Sequence, residues 1–583
     1  MKLIFQSLKK YGRYVFLAII IKLFATLSEL SLPYILEHII DDVVPGKDIK
    51  TVVLWGLLMF VAALLCRFLN VTANRRAVNN AHHISYDIRQ RLFEKTVNLT
   101  GKQFDSFGLP SIISRMTSDS YNVQSSVQQF QTLCVRAPMM LIGGVIVSMI
   151  MDAKLALIMV VMLPVLIAII FFVSSKGIPL FTAVQSKLDN VVRVMRENIT
   201  GIRVVKALSK EKYEKNRFSS VNEELTKQDI KATTVMAIPG PMMQLSINIG
   251  LSLVVLIGAL RVNEGLAKPG VILAFLTYFN MVAMGVMGMN RIFITMSKAS
   301  ASADRINKVL LTDTEEHLKN TDDVINDGSY IKFSHVSFSY NESIENSSGF
   351  YEGEHEKSLD DIDFELKKGE SLGIIGPTGS GKTTIINLLM KFYEPDSGKI
   401  YINGKNVLSY RKDELRNMVG AVFQNDMIFN DTIRENIAFG RQFDDKRIWE
   451  AAEDSMAADF IKNIPQQLDY VAGIKGADLS GGQKQRLLIA RALVGRPDIL
   501  VFDDSSSALD YKTDSNMRKA IKEHYPDATM IMIAQRISSI MGMDKIMVLD
   551  NGHCIGFGKH EDLINTCKIY KETFEAQMGS FEE

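Results

Sequence analysis

The run Gly376-Pro377-Thr378-Gly379-Ser380-Gly381-Lys382-Thr383 places three glycines, a lysine and three hydroxyls within eight residues. Glycine lets the main chain approach a ligand closely, so successive amide N–H groups and the start of a following helix can face phosphate oxygens. In this pattern, the P-loop, Lys382 reaches the β- and γ-phosphates of a nucleotide and the Thr383 hydroxyl ligates Mg2+, with Thr384 in the next helical position. The context is right: GIIG ends a strand before the loop and TTIINLLMKFY opens a helix after it. A second run, Ile499-Leu-Val-Phe-Asp503, reads as a buried parallel strand ending in a carboxylate, and Asp503 is suited to hold the water shell of Mg2+. Asp504 comes next, and Gln535 stands in the later segment MIAQR.

Between the two runs lies Leu479-Ser480-Gly481-Gly482-Gln483, leading into the helical LLIARALVGRP. A serine and a glycine pair at a helix start make a second anion-binding terminus, with Ser480, Gly481, Gly482 and Gln483 as candidate contacts; a plain helix cap is the alternative. The pattern turns β-rich from about residue 329, with IKFSHVSFSY and SLDDIDFELKKGESLGIIG, and these strands must carry the P-loop.

The first half is different. A chain of 583 residues is too long for one core, and its net charge of +1 conceals an apolar first half and a polar second half. The near-neutral balance gives no reason to expect nucleic acid as a partner, because phosphate backbones select large basic surfaces. Six apolar stretches, near 14–40, 51–70, 128–150, 154–174, 235–260 and 270–293, each approach the ~20 residues that span a bilayer as a helix. Lys2, Lys9, Lys10 and Arg13 precede the first, and no small-residue cleavage pattern follows, so it is expected to be retained. The connections at 41–50, 151–154 and 261–269 are short; those at 71–127 and 175–234 are long and basic, with Arg75, Arg89, Arg196 and Lys206 among their residues. By the positive-inside rule the long connections and both termini are cytoplasmic. Each long connection keeps helical periodicity but breaks once, at Gly108 and Pro110 or at Gly201, where a short transverse helix is expected. Cys66, Cys134, Cys554 and Cys567 are too scattered for a metal site or disulfide framework and are expected to be packing residues.

With LSGGQ, the P-loop and six spans in this arrangement, the chain resembles a half-transporter of the ATP-binding cassette (ABC) exporter family over essentially its whole length. It is most similar in pattern to the degenerate-site subunit of heterodimeric bacterial multidrug exporters. The resemblance implies an α-helical six-span transmembrane domain at 1–310, a linker at 311–328 and an α/β P-loop NTPase cassette at 329–583. It also implies that Tyr340 stacks on adenine, that Gln424 is the Q-loop glutamine near Mg2+ and the attacking water, and that Ser507 to Asp510 form the D-loop. Coupling helices are implied near 106–118 and 200–210. Two cassettes would close head to tail, each ATP held between one P-loop and the LSGGQ of the other chain. A second half-transporter in the same bilayer is therefore the implied partner, with ATP and Mg2+ as cofactors.

Two departures from the family pattern fall at the hydrolytic positions. Asp504 stands where the pattern has the glutamate that polarises water, and Gln535 where it has a histidine. Aspartate is one methylene shorter, which withdraws the carboxylate by roughly 1.5 Å, and a misplacement of ~1 Å can cost about a hundredfold in rate. Gln535 can donate a hydrogen bond to the γ-phosphate but cannot take up a proton near neutral pH. Binding is expected to survive better than turnover. A third departure is Ile474, where the family usually has a glutamate in the segment facing the coupling helices. The expected function is ATP-driven export of amphipathic or hydrophobic compounds across the cell membrane, as one half of a heterodimer whose partner carries the intact glutamate and histidine. The alternatives are a homodimeric lipid or peptide exporter and a nucleotide-gated channel or regulator.

Weaker features leave alternatives open. The polar, acidic insertion at 341–357 suits a surface loop or a partner contact. The Met-rich segment 281–290 suits helix packing through its glycines or an adaptable drug cavity. Glu29, Arg67, Arg136 and Arg291 lie within or beside spans, where charge either marks a water-filled path or snorkels to the surface.

Overall fold

The computed structural model describes residues 2–312, 324–340, 357–424, 426–505 and 508–578. Residues 341–356 of the acidic insertion, residues 313–323 of the expected linker, and Ser507 lie outside the described residues. The chain forms two compact units: residues 1–97 with 110–312, and residues 98–109 with 313–583.

The first unit is helical. Six helices, Gly12–Gly46, Ile49–Val97, Leu109–Met151, Ala153–Thr200, Glu211–Asn263 and Pro269–Leu311, are long and apolar enough to cross a membrane. Each is longer than its apolar stretch because the polar continuation keeps helical periodicity, as expected of excursions that break only once. Large apolar side chains such as Leu54, Leu57, Phe60, Leu64 and Phe68 face outward from the second span, the composition of a lipid-facing surface. Inside the unit, several charged groups are paired. Arg136 donates to Glu29 through Nη2 at 2.7 Å and Nε at 3.2 Å, and the buried Lys22 ammonium donates to the side-chain oxygens of Asn70 at 2.7 Å and Asn74 at 3.2 Å. Arg67 and Arg291 are exposed.

In the Met-rich segment the structure shows close helix packing through glycine. A Cβ on Gly285 would stand 2.9 Å from the Ala137 carbonyl oxygen, so the third and sixth spans meet backbone to backbone there, while Met284 and Met287 are exposed. Two short elements hold the span ends. Asp41 accepts from the Gly270 and Val271 amides, at 2.6 and 3.1 Å, at the start of the sixth span. Asp152 caps the fourth span through the Lys154 and Leu155 amides, at 2.9 and 3.1 Å, and accepts from Arg261 Nη2 at 2.9 Å.

The breaks fall where glycine stops a helix, which moves the first transverse helix earlier than expected. It spans Gly101–Phe107, not 106–118. A capping box between Thr100 and Gln103 starts it, and Gly108, at φ +72°, ends it, after which Pro110 lies in the first turn of the next helix. This segment packs as part of the second unit: Lys412 Nζ donates to Asn98 Oδ1 at 2.7 Å, and the Tyr393 hydroxyl donates to Asp105. The second transverse helix is Ile202–Ala207, begun after Gly201.

The rest of the second unit is α/β. A four-stranded antiparallel sheet has the order β2-β1-β4-β5, from β1 (Ile331–Phe338), β2 (Leu359–Leu366), β4 (Ser397–Ile402) and β5 (Lys405–Asn406). A six-stranded sheet has the order β10-β9-β3-β8-β7-β6, from β3 (Ser371–Ile375), β6 (Val419–Val422), β7 (Ile499–Asp503), β8 (Thr529–Ile533), β9 (Lys545–Asp550) and β10 (His553–Gly558). All its pairings are parallel except β9 with β10. One apolar core lies around the two sheets, and a second fills the helical segments from 433 to 494 and the outer side of the six-stranded sheet. Parallel strands buried on both faces read as continuous apolar runs, as ILVFD does, with all five residues buried.

Asp152 is both a helix cap and the partner of a largely buried arginine, so Asp152→Ala should destabilise the helical unit by about 3 kcal/mol. Thermal unfolding of the detergent-solubilised protein measures this; Asp152→Asn, which keeps the capping oxygen but not the charge, should fall between the two.

Candidate nucleotide site

The parallel register brings the chemistry to one edge. Ile374 pairs with Ile533, and Asp503 pairs with Ile533 from the other side, so the segments leaving β3, β7 and β8 emerge together. Ligands of α/β sheets bind at such carboxyl ends. They enclose a cavity of about 630 Å3 lined by Tyr340, Gly376, Thr378, Gly379, Gly381, Lys382, Thr383, Thr384, Gln424, Asp503, Asp504 and Gln535.

Close packing makes the P-loop. A Cβ on Gly376 would lie 2.1 Å from the Leu549 carbonyl oxygen, and Gly381, at φ +96°, would place one 2.5 Å from that of Ser358. The helix Lys382–Leu389 begins at this turn. The Lys382 ammonium donates to the carbonyls of Gly376 and Pro377 at 2.8 and 2.6 Å, and burial lowers its pKa against the opposing pull of Asp503 and Asp504. The Thr383 hydroxyl donates to Asp503 Oδ2 at 2.8 Å. Two hard oxygen donors thus stand side by side beneath a row of backbone amides, which is the donor chemistry that suits Mg2+ with a nucleotide phosphate. Ser380 is buried, and its hydroxyl has no hydrogen-bond partner among the described residues.

The two departing residues touch each other. Gln535 Nε2 donates to Asp504 Oδ2 at 2.7 Å, while the Asp504 amide donates to the Ile533 carbonyl at 3.0 Å. Asp504 has a left-handed backbone, φ +50°, a conformation that costs energy for a residue with a Cβ and is concentrated at functional sites. Burial raises the Asp504 carboxyl pKa, opposed by the Gln535 hydrogen bond and Lys382. Burial raises Asp503 as well; the Thr383 bond opposes this and the Asp504 charge adds to it.

Tyr340 is edge-on to Phe338 and Tyr393, with ring centroids 4.8 and 5.1 Å away; its hydroxyl donates to Thr384 Oγ1 at 3.3 Å and accepts from Asn387 Nδ2 at 3.1 Å. This holds the ring at the cavity wall. Gln424 is exposed at the same wall.

The signature segment stands apart. Ser480, Gly481, Gly482 and Gln483 are not among the residues lining this cavity. The helix Gly481–Leu493 starts with a capping box, in which the Ser480 amide donates to Gln483 Oε1 at 2.8 Å and the Gln483 amide donates to Ser480 Oγ at 3.3 Å. The cap reading is therefore correct locally, and it leaves the Gly481 and Gly482 amides of the first turn free of intrahelical partners, as at any helix start. Ile474 is 74% exposed in the turn Ile474–Gly476.

Residues that the motifs do not reveal also contribute. Ile569, Tyr570 and Thr573, from the C-terminal helix Lys568–Met578, line the cavity with Ser358, Ile375 and Val548. No local pattern marks them, because their role comes from where a distant helix docks.

Residues 15–286 match the family model for the ABC transporter transmembrane region, and residues 359–507 match that for the ABC transporter cassette. The chain is 33% identical over 575 residues to the uncharacterized ABC transporter ATP-binding protein YfiB of Bacillus subtilis, covering 98% of each. It is 29% identical to a multidrug resistance ABC transporter ATP-binding and permease protein of Lactococcus lactis, covering 97% of this chain and 94% of that one. Among solved structures, a bacterial Atm1-family ABC exporter with ATP bound shares the fold, with a TM-score of 0.80 at 23% identity over 98% of this chain and 99% of that one.

The chain belongs to the ABC transporter family: it is a multi-pass membrane protein of the exporter fold, with an ATPase cassette that couples ATP hydrolysis to transport. Exporters of this family work as dimers in the bilayer.

Because burial makes Asp503 and Asp504 hold protons more tightly in the folded state, their ionisation opposes folding. Stability should fall as pH rises from the ordinary aspartate value of 3.8 through the raised values. Asp503→Asn should therefore raise the thermal midpoint of the protein at neutral pH, flatten its pH dependence above about pH 4, and weaken Mg2+-dependent ATP binding. Thermal-shift curves with and without Mg2+ and ATP measure all three.

Proposed function

We propose that this chain exports amphipathic or hydrophobic compounds from the cytoplasm, as the slow-site half of a heterodimer in the cell membrane. The observation that carries this reading is the pair Asp504–Gln535, joined at 2.7 Å in the lining of the cavity. A short carboxylate, held by an amide that cannot take up a proton near neutral pH, is a poor general base for water attack. The ATP-binding groups show no such departure. Gly376, Thr378, Gly379, Ser380, Gly381, Lys382, Thr383 and Thr384 would hold the phosphates, Tyr340 the base, and Thr383, Asp503 and Gln424 would hold Mg2+, which would neutralise phosphate charge.

Ser480, Gly481, Gly482 and Gln483 serve the P-loop of the partner chain. Their separation from this chain's own cavity supports that assignment, since a nucleotide here needs a second cassette to cover it. The domains are 1–310 and 329–583 with a linker between them, both termini are cytoplasmic, and the transverse helices couple closure to the spans. The multidrug name of the Lactococcus lactis relative supports an amphipathic cargo.

In the reconstituted heterodimer, Asp504→Glu with Gln535→His should raise turnover at this chain's site by about tenfold or more, and Ser480→Ala should lower turnover at the partner's. ATPase and vesicle-uptake assays measure both. If Asp504→Asn abolishes ATP turnover as fully as loss of the partner's glutamate does, the asymmetric reading fails. Robust ATPase and transport by this chain alone would favour the homodimer.

A further inference from the structure

We propose that Gln577, in the last turn of the C-terminal helix, is a positioning residue of the ATP site that sets the Gln535 amide opposite the γ-phosphate. The inference rests on the reading of Gln535 as a phosphate donor and goes beyond it by adding a helix that no ATP-site motif contains.

The geometry is a two-point clamp. Gln577 Nε2 donates to the Gln535 main-chain oxygen at 2.8 Å, and Gln577 Oε1 accepts from the Ile537 amide at 2.8 Å. One planar amide therefore bridges both sides of Arg536, as a neighbouring strand would. The segment needs such a bridge, because β8 ends at Ile533 and the next helix, Ile537–Ile540, has only four residues. The preceding residue is tied through its Ala534 amide, which donates to the Ile374 carbonyl at 3.2 Å. Beyond that bond, Gln577 fixes the main chain at 535 and 537, and the direction of the Gln535 side chain follows from it.

The clamp has a firm base. Tyr570 is 1% exposed, and its hydroxyl lies 2.7 Å from His560 Nδ1. The His560 ring lies 5.2 Å from that of Phe574. Ile569, Tyr570 and Thr573, one to two turns before Gln577, line the nucleotide cavity. The same helix thus forms part of the wall of the ATP site and fixes the segment that carries Gln535. Gln577 touches neither substrate nor metal; it acts through Gln535.

The γ-phosphate distinguishes ATP from ADP, so the affinity ratio of the two nucleotides reads the position of Gln535 and cancels general effects on the cassette. The full-length chain in nanodiscs is titrated with Mg2+ and ATP, or Mg2+ and ADP. Gln577→Met, similar in length but without the amide, should weaken ATP by about three- to tenfold and leave ADP unchanged. Gln577→Glu, which keeps the acceptor for Ile537 but loses the donor to Gln535, should weaken ATP less. In a Gln535→Ala background, Gln577→Met should have no further effect on the ratio.

Three results would overturn the proposal. ATP and ADP weakened together by Gln577→Met would mean a structural role only. A ratio lowered by Gln535→Ala but unmoved by Gln577→Met would remove Gln577 while sparing the reading of Gln535. A ratio unmoved by Gln535→Ala would remove both.

Discussion

Everything at the nucleotide site depends on the parallel pairing of β7 with β8, which puts Asp503 level with Ile533. Side-chain direction in a strand alternates residue by residue, so a slip of one position would exchange the roles of the faces. In the observed register Asp503 meets Thr383 at 2.8 Å, and the chain turns through the left-handed Asp504 so that its carboxylate meets Gln535. The P-loop is held to the same edge by β3, which pairs with β8 on one side and β9 on the other; Gly376 passes so close to Leu549 that no side chain could stand there. One arrangement of strands therefore places phosphate, metal and hydrolytic groups together.

The site divides into binding and turnover. The groups proposed for binding are backbone amides, a half-buried lysine and paired hard oxygens. The groups proposed for turnover are a short acid and an amide that hydrogen-bond to each other. Burial raises the pKa of both aspartates, and the charge of Asp504 adds to the rise at Asp503. On the proposed reading, a site of this kind holds nucleotide longer than it takes to cleave it elsewhere. The capped signature helix lies outside this cavity, and the proposed function assigns it to a partner's nucleotide.

Much of this was legible in the chain. The P-loop, ILVFD and LSGGQ are local patterns whose chemistry depends on neighbours in sequence, and Asp504 and Gln535 stand out because those patterns fix where to look. The six spans were legible from apolar length, and their extension into polar helix from periodicity. The first transverse helix began earlier than expected because Thr100 and Gln103 form a capping box and Gly108 ends the helix. What could not be read was long-range. Glu29 and Arg136 were conspicuous as charges among apolar residues, but their pairing joins helices 107 residues apart. Gln577 carries no signal, since a glutamine near the end of a polar helix resembles any solvated residue until the helix is docked.

The central claim is that this chain's P-loop retains ATP while the partner's turns it over. It is tested most directly by photolabelling the transporting heterodimer with radiolabelled 8-azido-ATP and identifying the nucleotide on each chain during steady turnover. The account predicts mainly triphosphate covalently bound to this chain and mainly diphosphate on its partner. Diphosphate on both chains in equal measure would contradict it.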